Sequence, residues 1–421
     1  MKVKIYPSKV HGTVAIPSSK SMAHRALICA SLAKGCSTLS GITPSKDIEA
    51  TISCMQALGA KIEKVEDNYI VHGTDLQVQA QNILCDCHES GSTLRFLIPV
   101  ASLTNQKVTF IGQGRLMKRP MDIYQTLFDQ QNLSFIQEED HIEIQGALKE
   151  NHYTIPGDIS SQFISGLLFT LPLLPKESTI TIQEPFESKS YVDLTLQMLK
   201  NFGITIHQKG NTYSIPGSQH YQAKNVHVES DYSQMAFFGV LASLQSELTI
   251  TNMDPDSMQG DKAILQQLQN AGAKVSIKND QITVTHQPLQ AQTIDLANCP
   301  DLGPILCVLA SFCKGCTHFI HAKRLRIKES DRIEAMETEL KKWGVDISST
   351  EDTITIYGKE TYDRKDVIID GHNDHRIVMA MSVFGLCAKH PSVIQGAQAI
   401  TKSYPTFFDD ILKIHGKVET V

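Results

Sequence analysis

The sequence predicts a mixed α/β protein built from six similar repeats, and three observations lead to this fold class. A short β-type run, a polar turn and an apolar helical run follow one another six times. The six runs begin 67 to 73 residues apart. Five of the six continue with a second helix, a glycine and a β-hairpin pattern. Spacing this regular is typical of a repeated βαβαββ unit. The repeats begin at Val14, Ile83, Thr154, His227, Ile294 and Val367.

The elements within a repeat follow from hydrophobic periodicity. The first repeat opens with a strand at residues 14–17 and a helix that runs through Ala33. Apolar residues recur at helical spacing over residues 47–58 and again over residues 332–343, and a glycine ends each helix. Residues 281–285 alternate as a hairpin strand does. The sixth repeat is expected to stop after its second helix, near Lys413.

The arrangement of the repeats stays open at this point. Six units of about 70 residues suit either a solenoid or two globular domains of three repeats. In the second case the boundary falls near Ser230, where the third repeat passes into the fourth.

Composition and charge exclude several classes of protein. A net charge of −6 argues against a general binder of nucleic acids or acidic membranes. The first six residues read as a strand without the apolar core of an export signal, and no apolar run could span a bilayer. We therefore expect a cytoplasmic protein whose ten cysteines are reduced thiols.

Cations cluster at the predicted helix starts, although the chain is acidic overall. A helix N-terminus has unpaired N–H groups and a positive dipole, so it binds anions and disfavours cations unless an anion is present. The alternative is that the neighbouring Ser, Thr and Asp residues act only as N-caps. Together the cations favour a heavily anionic ligand, because guanidinium groups suit carboxylates and phosphates. They are Lys20, Arg25, Arg95, Arg119, Lys328, Arg332, Arg376 and Lys402.

Two acidic residues, Asp301 and Glu329, stand among these cations. They could pair only with the neighbouring Lys and Arg side chains, or they could serve as an acid–base pair. Two metal sites are weaker alternatives: one at residues 85–88 with two cysteines and a histidine, the other at His372 and His375.

At this point the motifs, taken in order along the chain, resemble those of the 5-enolpyruvylshikimate-3-phosphate synthase family. The resemblance runs from about residue 8 to 415. The motifs are Ser19-Lys20-Ser21-x-x-x-Arg25, Arg119-Pro120, Ser160-Ser161-Gln162, Lys328-Glu329-Ser330-Asp331-Arg332 and Asn373-Asp374-His375-Arg376.

The resemblance implies a two-domain inside-out α/β barrel built from six βαβαββ repeats, three per domain. One domain would comprise residues 1–18 and 230–421, the other residues 19–229. Helix N-termini would point into a cleft that closes on substrate.

The resemblance also implies the site residues and the reaction. Asp301 and Glu329 would be the catalytic acid–base pair, with Lys20 beside them. Residues implied to bind shikimate 3-phosphate are Lys20, Ser21, Arg25, Ser160, Ser161, Gln162, Ser188, Tyr191 and Asp301. Residues implied to bind phosphoenolpyruvate are Lys20, Gly91, Arg119, Gln162, Arg332, His375, Arg376 and Lys402.

By the same analogy, the enolpyruvyl group of phosphoenolpyruvate passes to the 5-hydroxyl of shikimate 3-phosphate through a tetrahedral adduct, and phosphate leaves. No metal or organic cofactor is implied, and we expect a monomer whose only partners are these small molecules. The chain departs from the family at Glu89 and Ser92, where the family has Asn and Thr, and at Arg324, often Asn. Alternatives are transfer to UDP-N-acetylglucosamine, or a non-catalytic anion-binding protein on the same scaffold.

Overall fold

The chain forms a two-domain inside-out α/β barrel, described by a computed structural model that covers residues 1–78, 80 and 82–421. Two compact units share the chain. The continuous unit comprises residues 18–228, and the split unit comprises residues 1–17 and 229–421. The chain passes between the two units after residue 17 and after residue 228, in each case one residue before the boundary expected from the sequence.

Twelve α-helices occur in the described residues. Helices α1 to α6 belong to the continuous unit and α7 to α12 to the split unit. The helices are α1 Lys20–Leu32, α2 Lys46–Ala57, α3 Gly91–Ser102, α4 Asp122–Gln130, α5 Ser161–Thr170, α6 Lys189–Asn201, α7 Tyr232–Gln245, α8 Ala263–Ala271, α9 Gly303–Phe312, α10 Arg332–Trp343, α11 His375–Cys387 and α12 Phe407–Lys413.

The strands of the described residues form six four-stranded sheets and one two-stranded ribbon. The strands are β1 Lys2–Tyr6, β2 Gly12–Ala15, β3 Ala33–Lys34, β4 Cys36–Ser40, β5 Lys61–Val65, β6 Asn68–His72, β7 Asn82–Asp86, β8 Lys107–Ile111, β9 Ser134–Gln137, β10 His141–Gln145, β11 His152–Pro156, β12 Ser178–Gln183, β13 His207–Lys209, β14 Thr212–Ile215, β15 Tyr221–Gln222, β16 Val226–His227, β17 Glu247–Thr251, β18 Lys274–Lys278, β19 Gln281–Thr285, β20 Thr293–Asp295, β21 Gly315–Ile320, β22 Asp346–Ser349, β23 Ile354–Gly358, β24 Val367–Asp370, β25 Ser392–Gln395 and β26 Lys417–Thr420.

Each four-stranded sheet repeats one pattern. A parallel pair comes first, and two antiparallel strands follow, as in the order β7-β8-β10-β9. These two strands form a hairpin in five of the sheets, whereas in the sixth they are β1 and β26. The parallel pair needs a crossover connection, and in the second repeat α3 supplies it. The six sheets therefore confirm the predicted repeat.

The first helix of each repeat is buried on nearly all sides, which makes the barrel inside-out. In the continuous unit α3 packs against α5, and in the split unit α7, α9 and α11 pack against one another. Apolar side chains surround these helices on every face, as expected for helices inside a core. Gly166 of α5 permits the close packing, since a Cβ there would lie 2.5 Å from the Arg95 carbonyl oxygen.

The first strands of the first and fourth repeats exchange sheets. The repeat pattern alone does not predict this exchange, whereas the domain bounds implied by the family resemblance place residues 14–17 with the later repeats. Strand β2, assigned from the sequence to the first repeat, pairs in parallel with β17 of the fourth. Strand β16, assigned to the fourth repeat, pairs in parallel with β4 of the first. Each strand thus completes the unit in which its own backbone lies.

The prediction that the sixth repeat stops after α12 is wrong. Strand β26 follows that helix and pairs with β1, and β1 also pairs with β25. Strand β1 occupies the inner hairpin position of the sixth sheet, in the order β24-β25-β1-β26. The sixth repeat is therefore closed by the first strand of the chain.

None of the helices in the described part of the chain has the length and hydropathy needed to cross a bilayer.

Candidate active site

Each of five central helices begins with a capping side chain. Ser90 Oγ accepts a hydrogen bond from the Thr93 N–H at 3.2 Å, and Asp374 accepts one from the Arg376 N–H at 2.9 Å. The N-cap interpretation is therefore correct for these side chains, and it leaves the nearby cations unexplained. The five capping residues are Ser19, Ser90, Ser160, Asp231 and Asp374.

Three cations do not open helices as predicted. Lys328 follows a 3₁₀ helix and precedes Asp331, the N-cap of α10. Arg119 follows a 3₁₀ turn and adopts extended backbone angles, because the next residue is Pro120 and disfavours the helical region before it. Lys402 ends the 3₁₀ helix Ala397–Lys402, and α12 begins only at Phe407. All three cations lie on the approach to a helix, outside its first turn.

In the continuous unit, Arg25 is buried and each nitrogen of its guanidinium group donates one hydrogen bond to a neutral acceptor. Nε donates to Thr195 Oγ1 at 2.8 Å, Nη1 to the Ser21 carbonyl at 2.7 Å and Nη2 to the Tyr191 carbonyl at 2.8 Å. The guanidinium lies over the Phe96 ring. Burial lowers the pKa of Arg25 to about 10, so the group stays charged at neutral pH. The structure thus brings the predicted residues Ser21, Arg25 and Tyr191 together.

Lys20 is the first residue of α1 and forms an ion pair with Asp47 of α2. The Lys20 Nζ to Asp47 Oδ2 distance is 2.6 Å, and both side chains are largely buried. The Asp47 carbonyl accepts from the hydroxyl of Thr93, near the start of α3. The starts of α1, α2 and α3 are thereby linked. Ser188, the buried N-cap of α6, has a left-handed φ of 51°.

Arg95 and Gln162 form a second group in this unit. Arg95 Nη1 donates to Gln162 Oε1 at 2.9 Å, and Gln162 Nε2 donates to Ser92 Oγ at 2.9 Å. Ser92 therefore orients the Gln162 amide even though the family residue here is Thr. Ser161 and Ser160 start the helix that carries Gln162, and Ser160 caps it.

Gly91 lets two guanidinium groups approach the start of α3. A Cβ on Gly91 would lie 2.5 Å from Arg119 Nη1 and 3.5 Å from Arg95 Nη1. Arg119 is 8% exposed. The lack of a side chain at Gly91 therefore lets positive charge collect beside the first N–H groups of α3.

The Glu89 carboxylate lies against Gly114. A Cβ on Gly114 would lie 2.5 Å from Glu89 Oε2 and 3.0 Å from its carboxyl carbon. Backbone bonding joins the same two segments, since Gln113 N–H donates to the His88 carbonyl at 2.6 Å. The acidic replacement thus packs on the segment that leads to Arg119.

In the split unit, three cations surround Asp301. Its Oδ1 accepts from Arg332 Nη1 at 3.1 Å and from Lys328 Nζ at 3.3 Å, and its Oδ2 accepts from Arg376 Nη2 at 2.9 Å. Arg376 Nη2 also donates to Ser233 Oγ at 3.0 Å. The starts of α7, α10 and α11 and the turn before α9 therefore meet at one carboxylate.

Arg332 joins Asp301 to two more carboxylates. Its Nη2 donates to Glu329 Oε2 at 2.6 Å, and its Nε donates to Asp374 Oδ2 at 2.8 Å. Ser330 Oγ donates to the same Asp374 oxygen at 3.0 Å. The Arg332 side chain is only 1% exposed, so three acidic neighbours offset the cost of burying its charge.

Electrostatics fixes the protonation states of this group. Burial raises the pKa of Asp301, but the charges of Arg376, Lys328 and Arg332 outweigh burial and hold that pKa well below its usual range. Burial lowers the pKa of Lys328, Asp301 opposes the change, and Arg324 lowers it further. Despite burial, Arg332 lowers the pKa of Asp374. Asp301 and Asp374 are therefore ionised at neutral pH.

The remaining two predicted residues of the split unit lie beside this group. Lys402 Nζ donates to the Asn373 carbonyl, one residue before the Asp374 cap. His375 is buried at the first position of α11, with Nδ1 3.9 Å from Asp374 Oδ1.

Sequence reasoning missed three contributors. Asp47 looks like an ordinary acidic residue in the first turn of a helix, and Thr195 looks like a residue of an amphipathic helix. Ser233 follows an N-cap and gives no charge signal. The best signal was available for Asp47, because it stands at the start of a second helix, as Arg332 does in the fifth repeat.

Neither metal alternative is supported. Among the described residues, no group of three or more His, Cys, Asp and Glu side chains could hold a metal ion. Cys85 and Cys87 are buried against the Cys54 thiol. His372 bonds to Glu339. Cys313 and Cys316, a Cys-x-x-Cys spacing that the sequence analysis overlooked, are free thiols.

The two clusters have different chemical capacities. The continuous unit presents Lys20, Arg25, Arg95 and Arg119, which suit phosphate and carboxylate groups. The split unit adds ionised carboxylates to its cations, so it can also exchange protons.

Comparison with known proteins identifies close sequence relatives over the whole chain. The family model described as EPSP synthase (3-phosphoshikimate 1-carboxyvinyltransferase) matches residues 5–411. The 3-phosphoshikimate 1-carboxyvinyltransferase of Clostridium perfringens (strain SM101 / Type A) is 44% identical over 99% of this chain and 98% of that protein. The protein of the same description from Clostridium kluyveri is 41% identical over the same shares.

Solved structures agree with this similarity. The EPSP synthase from Acinetobacter baumannii superimposes with a TM-score of 0.81 at 27% identity, over 100% of both chains. The enolpyruvyl transferase NikO from Streptomyces tendae has a TM-score of 0.79 at 14% identity, over 99% of this chain and 98% of that chain, and supports the fold alone.

Proposed function

The chain belongs to the EPSP synthase family of enolpyruvyl transferases, and from that premise we propose how its two clusters divide the work of the reaction. As a member of this family it transfers the enolpyruvyl group of phosphoenolpyruvate to shikimate 3-phosphate and releases phosphate. The proposal concerns the residues that bind these anions and the residues that move protons.

The proposed catalytic pair is Asp301 and Glu329. The observation that carries it is their shared partner: one guanidinium, Arg332, bonds to Asp301 at 3.1 Å and to Glu329 at 2.6 Å. Because Asp301 is held ionised, it suits the role of the base that accepts the 5-hydroxyl proton of shikimate 3-phosphate. Glu329 then donates a proton to the methylene carbon of phosphoenolpyruvate.

These steps balance as an addition followed by an elimination. The 5-oxygen bonds to the central carbon of phosphoenolpyruvate while the methylene carbon gains a proton, and this gives a tetrahedral adduct. Glu329 then takes back a methyl proton while the carbon–oxygen bond to phosphate breaks, which restores the double bond, and the departing phosphate takes the proton that Asp301 had accepted. Cations near the developing phosphate charge stabilise both steps.

The proposed binding residues follow the charges of each cluster. Shikimate 3-phosphate would be bound by Lys20, Ser21, Arg25, Ser160, Ser161, Gln162, Ser188, Tyr191 and Asp301. Phosphoenolpyruvate would be bound by Lys20, Gly91, Arg119, Gln162, Arg332, His375, Arg376 and Lys402. Arg25 supports the first assignment, because its buried guanidinium group faces neutral oxygens and keeps its positive charge for an anion. A monomeric state and a cytoplasmic location stay predictions.

Phosphate release tests the proposal. The wild-type chain should release phosphate from phosphoenolpyruvate with shikimate 3-phosphate as acceptor and not with UDP-N-acetylglucosamine. Glu329→Gln should lower kcat about 10²–10⁴-fold with a much smaller change in KM, since a proton donor is lost and the binding cations remain.

The matched control is Glu334→Gln, an exposed acid in the first turn of α10, the helix that Glu329 precedes. Its kcat should equal that of the wild type. A Glu329→Gln variant with wild-type kcat would contradict the assignment of the proton donor.

A further inference from the structure

The turn that precedes α11 has an unusual backbone. His372 and Asn373 both have a left-handed φ of 49°, although neither is glycine. Two consecutive left-handed residues persist only where their surroundings hold them. The contacts of this turn therefore determine where the start of α11 lies.

A buried carboxylate on α10 holds the turn. His372 Nε2 lies 2.9 Å from Glu339 Oε1, and Glu339 is 1% exposed. The other Glu339 oxygen accepts from Lys342 Nζ at 2.7 Å and from the Asp370 N–H at 3.0 Å. The His372 N–H donates to Asp370 Oδ1 at 2.8 Å. The turn is thus fastened to α10 and to the end of β24.

The fastened turn adjoins two of the proposed phosphoenolpyruvate ligands. Lys402 donates to the Asn373 carbonyl, and Asp374 caps the helix in which Arg376 is the second residue. Asp374 also bonds to Arg332 of α10. A shift of the turn would therefore move Arg376 and Lys402 together, relative to Arg332.

The charges around His372 favour its protonated form. The hydrogen bond with Glu339 raises the pKa of His372, burial opposes this, Asp370 raises it further and Lys342 lowers it. Burial raises the pKa of Glu339, but the bonds from His372 and Lys342 outweigh it and leave that pKa lowered. The pair is therefore held in its charged form to a higher pH than an ordinary histidine would allow.

We propose that His372, through its ion pair with the buried Glu339 carboxylate, is a positioning residue for phosphoenolpyruvate binding. The inference rests on the proposed roles of Arg376 and Lys402. The direction of the expected pH effect follows from the linkage between protonation and folding. Because the pKa of His372 is raised by folding, the pair is complete below the ordinary histidine value and is lost as pH rises through the raised value. The KM for phosphoenolpyruvate should rise over the same interval.

Three variants test the inference between about pH 6 and pH 9, with both KM values, kcat and thermal unfolding measured. His372→Gln should raise the KM for phosphoenolpyruvate about 3–30-fold at the acid end and remove its pH dependence. The KM for shikimate 3-phosphate should stay near that of the wild type. His372→Lys keeps the positive charge, so it should restore a low KM and hold it at alkaline pH.

The matched control is His321→Gln. His321 is also left-handed, with φ 55°, also follows a strand of the split unit, and also pairs with a carboxylate at 2.9 Å, that of Asp295, but this pair is exposed. This variant should keep the wild-type KM and its pH dependence.

Either of two results would overturn the inference: His372→Gln with the wild-type KM for phosphoenolpyruvate at every pH, or His372→Lys with the same defect as His372→Gln. Both leave the proposed function intact if the wild type releases phosphate. Failure of the wild type to release phosphate with shikimate 3-phosphate would instead overturn the function, and this inference with it.

Discussion

The two clusters treat their buried cations differently. In the continuous unit Arg25 and Arg95 donate to hydroxyl, carbonyl and amide oxygens. The carboxylate of Asp47 pairs with a different cation of this unit, Lys20. In the split unit Arg332 and Arg376 are held by carboxylates.

The difference shows two solutions to the burial of charge. Neutral oxygens orient a guanidinium group and leave its charge for a ligand, whereas carboxylates neutralise it within the protein. The first arrangement suits recognition of an anion. The second creates acids and bases whose proton affinities are set by their neighbours.

The largest expected effect lies in the split unit. Asp301→Asn should lower kcat about 10²–10⁴-fold, because the amide cannot accept a proton and leaves Arg332 and Arg376 less well matched. Steady-state phosphate release measures this effect. Asp295→Asn, an exposed acid in the same unit, is the control and should be neutral. An Asp301→Asn variant with nearly wild-type kcat would show that the two clusters do not differ in chemistry.

The pH dependence of stability sharpens the same comparison. Because the folded-state pKa of Asp301 is depressed, its contribution to stability is complete above its unfolded value of about 3.9 and is lost as pH falls through the lower folded value. Urea unfolding of the wild type and Asp301→Asn at acid pH should therefore converge only below the ordinary range for aspartate. If the unfolding free energies of the two proteins already converged near about pH 5, the result would contradict the depressed pKa of Asp301.

The next effect lies in the continuous unit. Arg25→Gln should raise the KM for shikimate 3-phosphate about 10–100-fold with a smaller change in kcat, since a charged donor to an anion is lost. Thr195→Val is the control, because it removes a neutral partner of Arg25 and keeps the charge. An effect confined to the KM for phosphoenolpyruvate would assign Arg25 to the other substrate.

The smallest effect concerns the replacement at Glu89. Gly114 and Gly210 have nearly the same backbone, with φ 61° and 58°, but a Cβ would meet Glu89 at Gly114 and nothing within 4 Å at Gly210. Each change to Ala should cost about 1 kcal/mol of unfolding free energy from backbone strain, and Gly114→Ala should cost about 1 kcal/mol more. Urea unfolding measures both. Equal losses would mean that Glu89 moves aside without cost.

Local elements of the fold could be predicted from the sequence because short-range signals define them. The helix over residues 332–343 has its predicted bounds, since Asp331 caps it and Gly344 ends it in a left-handed conformation. The repeated unit was recognisable for the same reason. The exchange of β2 and β16 did not follow from the local pattern, because both strands have the same pattern and only pairing with distant strands distinguishes them. It was implied only by the domain bounds that the family resemblance gave.

The candidate site was predictable to the extent that charge marks it. Asp301, Glu329 and Arg332 stood out as charged residues near helix starts, and the structure brings them together. Asp47 and Thr195 were not found, because an acid in the first turn of a helix and a threonine on its face are common everywhere. The clash at Gly114 depends on packing that no local pattern encodes.

The position of β1 has a consequence for synthesis of the protein. The continuous unit contains all of its own strands, so it can finish folding once residue 228 has been made. Strand β1 is made before it, yet both of its neighbours, β25 and β26, come nearly 400 residues later. At about 5–20 residues per second, β1 waits roughly 20–80 s on the ribosome for its partners. A strand made before the continuous unit is therefore among the last to be folded, and its two exposed edges must stay unpaired in the interval.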